Sequence, residues 1–357
     1  MPHPINAIAT ITTERLLLLS RLLAGKRLSL EKPAGNIEEL AECAGVLELL
    51  GRRSDMAERF PRARQAYLAQ AALGMMRLEA LREIAGAMRK QSIDIIPLKG
   101  MAYALMFEPG GPVRSMADID ILVRTERFEE AAGILLSLGY VEFRGGNRVG
   151  TRWHHERQFT RDRQMVELHR AFLSPGRISI DYRKIWSRAI AIEQDGVRCL
   201  RLYREDTFLY HCFHMALHEF SVGGLRQIVE LDRLLKDDRP DLELAARRAI
   251  EWGVRRMLFC SLRLYQICYP ESLPEETLDL FRPHPVIVAI LEKLVIAPSA
   301  GVLLEPGLLF RPVQLVRKAL MVEGPIEAMR YFLWYLAAEA QGRMIGKVDG
   351  AGLTRDK

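Results

Sequence analysis

The apolar positions of this chain change their spacing twice. Up to about residue 90 they recur every three or four residues, the period of a helix with one buried face. Residues 15–23 form a leucine-rich amphipathic run, and 36–50 open on Asn-Ile-Glu-Glu, a capped helix start. Residues 62–89 are rich in Ala, Leu, Met, Glu and Arg, all good helix formers. At Ile93 the period shortens. Residues 93–98 are branched and apolar and predict a buried strand, 99–107 predict a helix, and Glu108-Pro109-Gly110-Gly111-Pro112 predicts a loop. In 118–123, Ile119, Ile121 and Val123 alternate with Asp118, Asp120 and Leu122, which predicts a second strand. Thr125 starts a helix that runs to Leu138 and ends on Gly139, and 140–143 predict a further strand. Residues 152–161 and 164–170 read as two strands joined at Asp162-Arg163, and 190–202 as a hairpin around Asp195-Gly196. Helical spacing then returns over 206–220, 225–236, 242–252 and 254–269, with further helices expected over 285–295, 313–322 and 326–341.

These elements predict an α+β protein. A small mixed β-sheet core occupies 91–203, flanked by an N-terminal helical region (1–90) and a C-terminal helical domain (204–357).

Composition excludes more than it selects. The chain has 357 residues and a net charge of +6, ordinary for a globular protein. Its five cysteines are scattered without a CxxC pair, as expected of reduced thiols in a cytoplasmic protein. Glu14 and Arg15 precede Leu16 to Leu19, so no secretory signal is expected, and Pro298, Glu305 and Pro306 break the apolar stretch 294–310, so no membrane span is expected there. Charge is uneven. Between Arg144 and Arg188 eleven basic residues face four acids, a local excess of +7 that favours an anionic ligand.

That basic stretch lies beside the residues suited to chemistry. Asp118 and Asp120, two apart on a strand, project from one face and can hold Mg²⁺ or Mn²⁺ through oxygen ligands while substrate phosphates complete the shell. Upstream, the strand ending at Leu98 runs into Lys99-Gly100 at a helix start, where a glycine admits close backbone approach and the helix N-terminus favours phosphate. Lys99 adds a positive charge there, and Arg114 lies on the loop before Asp118. In Met165-Val166-Glu167-Leu168-His169, alternation places Glu167 and His169 together. Beside the Asp118 strand, Glu167 would be a third carboxylate, completing a metal cage or accepting a proton; otherwise it is an exposed acid on an edge strand. His211, His214 and His218 share one helical face. That face is expected to pack rather than bind metal, and to line a cleft with Asp232.

Leu98-Lys99-Gly100, then Arg114 with Asp118-Ile119-Asp120-Ile121-Leu122-Val123, then a helix ending in Leu138-Gly139-Tyr140, resembles the uncharacterised nucleotidyltransferase family of the DNA polymerase beta-type superfamily. Glu167-Leu168-His169 is similar to the later acidic strand of that pattern, and 209–218 followed by Leu231-Asp232 to its helical half. The resemblance covers roughly 62–269. It implies metal binding by Asp118 and Asp120, a third acid at Glu167, and a nucleotide-binding turn at Gly100. Lys99, Arg114, His169 and Asp232 are further nucleotide-binding candidates. The chain departs from the pattern at Met101, where the superfamily commonly has serine or glycine. The expected activity is Mg²⁺- or Mn²⁺-dependent transfer of an NMP, AMP from ATP in the first instance, to a hydroxyl or phosphate acceptor on a small molecule, a protein or an RNA end. The alternative is an inactive module of the same fold that binds a nucleotide, nucleic acid or protein.

Overall fold

The computed structural model describes residues 17–23, 37–53, 58–108, 114–143, 155–173, 178, 180–218, 220, 224–302, 311–324 and a few positions from 326 to 333. In chain order, α1 (Ile37–Cys43), α2 (Leu47–Gly51) and the 30-residue α3 (Pro61–Lys90) lead into β1 (Ile96–Pro97) and α4 (Lys99–Phe107). Then come β2 (Asp118–Leu122), α5 (Phe128–Ser137), β3 (Val141–Glu142), β4 (Glu156–Arg161), β5 (Gln164–His169), α6 (Tyr182–Arg188), β6 (Ile190–Gln194) and β7 (Val197–Arg201). Helices α7 (Arg204–Leu217), α8 (Leu225–Arg233), α9 (Leu242–Trp252) and α10 (Arg255–Cys268) follow, with shorter helices beyond. The class is α+β, as the hydrophobic pattern predicts.

The chain separates into two compact units: residues 1–75, 106–115 and 203–323 form one, and 76–105, 116–202 and 324–357 the other. Both are discontinuous, and α3 contributes to each. In the first unit α10 packs against α7, and Arg248 is buried beside Glu205 and Asp206, at 3.4 and 3.1 Å.

The second unit holds the sheet. Its strand order is β1-β2-β5-β4-β3, with β2 and β5 parallel and every other pair antiparallel, so the sheet is mixed. One face is apolar. Ile119, Ile121, Phe159, Val166 and Leu168 are fully buried there with Leu81, Ile84 and Met88 of α3 and Ala131 and Leu135 of α5. Turns follow their sequences. Asp162 and Arg163 both take positive φ between β4 and β5, as do Asp195 and Gly196 between β6 and β7, the two-residue turn that suits twisted strands. Arg82 of α3 donates to the Asp195 carbonyl at 2.7 and 3.2 Å, which fastens the β6–β7 hairpin to the helix.

Several boundaries differ from expectation for local reasons. The helix expected over 36–50 is two, because Gly45 adopts φ +69 between α1 and α2. The strand expected over 93–98 shrinks to two ladder residues, one of them Pro97, which has no N–H to give; the Ile95 carbonyl accepts instead from the Leu200 N–H of β7 at 3.0 Å. The first turn of the helix expected from Thr125 is a 3-10 turn, Thr125–Arg127. Helix α6 was not expected: it is short, and its signal is Asp181, whose carboxylate caps the Arg183 N–H. Residues 152–154 of the expected strand and most of the expected helix 326–341 lie outside the described residues. Part of the basic excess is spent internally, since Arg157 pairs with Glu129 and Glu142, and Arg161 with Glu83.

The apolar face should set stability. Phe159→Ala empties a fully buried site between β4 and the helices and is expected to cost about 3–5 kcal/mol in urea unfolding. A loss under 1 kcal/mol would mean that the residue is not packed as described.

Candidate active site

The parallel pairing of β2 with β5 decides what the polar face presents. Its register sets Asp118 against Met165, Asp120 against Glu167 and Leu122 against His169. Side chains alternate across a strand, so the residues whose neighbours pack into the core leave Asp118, Asp120, Glu167 and His169 on the opposite face. Strand β4 extends the pattern: Gln158 lies opposite Glu167, and Glu156 opposite His169. Strand β5 is thus interior, and Glu167 is only 9 % exposed, which excludes the edge-strand alternative.

The acids are neutralised by cations from the same unit. Lys99 Nζ lies 2.6 Å from Asp120 Oδ1 and 3.5 Å from Glu167 Oε2. His169 Nε2 approaches the same two oxygens, at 2.9 Å from Asp120 Oδ1 and 3.6 Å from Glu167 Oε2. Gln158 Nε2 donates to Glu167 Oε1 at 2.8 Å. Asp120 and His169 are buried, at 1 % and 2 % exposure, whereas Asp118 is half-buried at the opening of β2. The His169 ring therefore faces the carboxylates and Glu156 rather than open solvent.

Lys99 reaches its position at a conformational cost. Its φ is +47, in the left-handed region that a non-glycine residue uncommonly adopts. Gly100 is buried in the first turn of α4 and does not take positive φ. Met101 is buried with no exposed surface in the apolar core, so the position of the family's serine is a packing position here.

Ionisation follows from this arrangement. Asp118 is pushed up to about 6, first by burial and then by the neighbouring charges of Asp120 and Glu167. For Glu167 burial acts upward, but the His169 hydrogen bond and the Lys99 charge outweigh it and hold the carboxyl well below its usual range. For His169 burial acts downward, yet hydrogen bonds to Asp120 and Glu167 raise the imidazole to about 9. Asp120, Glu167 and His169 each present a ligand atom within 4.8 Å of the others. The donors are two hard oxygens and one imidazole nitrogen around a point where an ammonium is already stabilised, a set that fits a divalent cation.

Arg114 and Asp232 belong to the first unit. There Arg114 Nε is 2.6 Å from Glu230 Oε1, and Asp232 accepts from the Tyr265 hydroxyl at 2.7 Å and pairs with Lys236 at 2.7 Å. His211 is buried in α7 with Nε2 2.8 Å from the Gln227 carbonyl oxygen. The metal-capable groups among the described residues include none of His211, His214 and His218. Sequence reasoning missed Arg77, Glu156 and Gln158. Arg77 of α3 is coupled electrostatically to Asp118, and its buried Nη1 makes no hydrogen bond among the described residues. Nothing in a long helix marks such an arginine, whereas Glu156 and Gln158 were legible as the polar positions of β4 in phase with Glu167.

A mixed sheet with an acidic polar face, backed by helices, is the class of structure these elements define. The chain belongs to the uncharacterised nucleotidyltransferase family, which it matches over residues 39–270. Among solved structures it is similar to the antibiotic-resistance factor ANT(2'')-Ia, at 13 % identity over 58 % of this chain and 90 % of that one, with a TM-score of 0.30. It is also similar to an antigenic nucleotidyltransferase-like protein from Paracoccidioides brasiliensis, at 15 % identity over 57 % and 91 % of the two chains, with a TM-score of 0.35. No curated protein matches it. No helix among the described residues is long and apolar enough to cross a membrane.

The raised His169 gives a signed prediction. A folded-state pKa above the unfolded one adds stability that is complete below about pH 6.5 and is lost as pH rises through about 9. Asp118, raised to about 6, acts in the same direction over a lower window, from its ordinary 3.8 upward. In chelator, thermal unfolding is expected to fall by several degrees between pH 6.5 and 9, and His169→Gln should flatten that fall. An unchanged slope in the variant would contradict the assignment.

Proposed function

We propose that this chain is a metal-dependent nucleotidyltransferase that moves an NMP, AMP from ATP in the first instance, to a hydroxyl or phosphate acceptor. The observation that carries the reading is the register of β2 with β5, which sets Asp120 against Glu167 with Asp118 on the same face. Asp118, Asp120 and Glu167 would hold the divalent ion, which when bound supplies charge stabilisation at the phosphates. An acceptor oxygen forms a bond to the α-phosphorus, the bond from that phosphorus to the bridging oxygen breaks, and pyrophosphate leaves with the electron pair. With a hydroxyl acceptor, the proton passes to a carboxylate of the set, Asp118 being its most exposed member. Gln158 and His169 orient Glu167 and Asp120 from the same face of the sheet. Lys99, released from the carboxylates, and Arg77 supply positive charge for the triphosphate, and the N-terminus of α4 adds backbone donors.

A second reading has its own support. Met101 is committed to the core and Lys99 to the acids, so the fold can serve as a nucleotide-binding module without turnover. Calorimetric binding of magnesium-NTP with no pyrophosphate released across a broad acceptor panel would favour that module.

On the enzymatic reading, Asp118→Ala combined with Asp120→Ala should reduce pyrophosphate release at least 100-fold while the protein remains folded. Retention of wild-type release would refute the assignment. Lys99→Met separates two roles for the lysine. Removing the competing ammonium should strengthen Mg²⁺ binding several-fold in calorimetry yet weaken magnesium-NTP binding; weaker binding of both would show that Lys99 only supports the fold.

A further inference from the structure

At one end of the polar face, three ligand-bearing side chains converge, of which His169 also borders the carboxylates. His155 precedes β4, Glu156 opens it, and Glu156 is the register partner of His169 at the end of β5. Glu156 Oε2 lies 3.1 Å from His155 Nε2 and 3.4 Å from His169 Nδ1, and all three ligand atoms fall within 4.8 Å of one another. A tetrahedral ion with ligands at about 2.0–2.1 Å places neighbouring ligand atoms roughly 3.3 Å apart. Both measured separations lie close to that.

The state of His169 points to a ligand. Its ring is 2 % exposed, its Nε2 faces Asp120 Oδ1 at 2.9 Å, and its Nδ1 makes no hydrogen bond among the described residues despite being buried. A carboxylate on one ring nitrogen that leaves the other as the donor is the outer support usual for a metal-bound histidine. The backbone is fixed as well: the Arg170 N–H donates to the His155 carbonyl at 2.8 Å, which holds the two histidine-bearing segments together. His155 and Glu156 side chains are 19 % and 29 % exposed, so solvent has access from one side.

We infer that His155, Glu156 and His169 form a second metal site, which shares only His169 with the Asp120–Glu167 group and uses its other ring nitrogen, that takes one transition-metal ion of the zinc, cobalt or nickel class and keeps one position open. Two imidazoles and one carboxylate suit such ions, whereas Mg²⁺ prefers oxygen throughout. The inference does not rest on nucleotidyl transfer. Its link to the neighbouring site is mechanical: an ion on Nδ1 fixes the ring whose Nε2 holds Asp120.

The test uses full-length protein stripped of metal and titrated with Co²⁺, read by visible ligand-field absorption. With Mg²⁺ present in large excess to occupy the carboxylate set, one equivalent of Co²⁺ is expected to bind and to be displaced by Zn²⁺. His155→Ala and Glu156→Ala should each weaken Co²⁺ binding at least tenfold, while Asp118→Asn leaves it unchanged. Absence of binding in the presence of Mg²⁺, or loss of the signal in Asp118→Asn with retention in both His155→Ala and Glu156→Ala, would overturn the proposal. Because no nucleotide is present, failure here is separable from failure of the transferase reading.

Discussion

Concentrated negative charge on a buried strand face is the constraint around which the second unit is organised. Two like charges about 4 Å apart repel by about 4 kcal/mol at the effective dielectric of a protein site, and the β2–β5 register sets Asp120 directly against Glu167. Lys99 and His169 both offset this repulsion. The strained backbone at Lys99, the raised His169 and the depressed Glu167 are all consequences of that single requirement. Asp118, further toward solvent and without an ion pair of comparable closeness among the described contacts, is the acid whose ionisation is disfavoured.

Such a balance is suited to exchange. The Lys99 ammonium occupies, on the proposed reading, the place at which a divalent ion would receive the same oxygens. On the proposed reading, arrival of metal with its nucleotide frees Lys99 to meet the phosphates, so that one side chain serves the metal-free and loaded forms in turn. Gln158 and His169, held by the same sheet, keep Glu167 and Asp120 aimed while that exchange occurs. The apolar face beneath has the complementary task of keeping the two strands in register, since a slip of one residue would turn the acids into the core.

Much of this was legible because it is periodic. Alternation alone put Asp118 with Asp120 and Glu167 with His169, and the Asp162-Arg163 and Asp195-Gly196 turns were readable from their residues. What local patterns do not carry is pairing between distant segments. The parallel β2–β5 ladder, and with it the interior position of β5, rests on a crossover through α5, β3 and β4. The destinations of Arg114 and Asp232 likewise depended on Glu230 and Tyr265, partners remote in sequence. The left-handed backbone at Lys99 was not legible, because a lysine rarely takes positive φ and its two carboxylate partners lie on strands distant in sequence. Arg77 looks like any arginine on a long helix until the fold brings it to Asp118.

The most direct measurement is a crystal structure of the protein soaked with Mn²⁺ and a non-hydrolysable ATP analogue, with the metal located by anomalous scattering. Exchange of ammonium for metal requires a peak about 2.2 Å from carboxylate oxygens of Asp120 and Glu167, with Lys99 Nζ moved onto a phosphate. A fully bound nucleotide with Lys99 still bridging the two acids and no anomalous peak between them would contradict it.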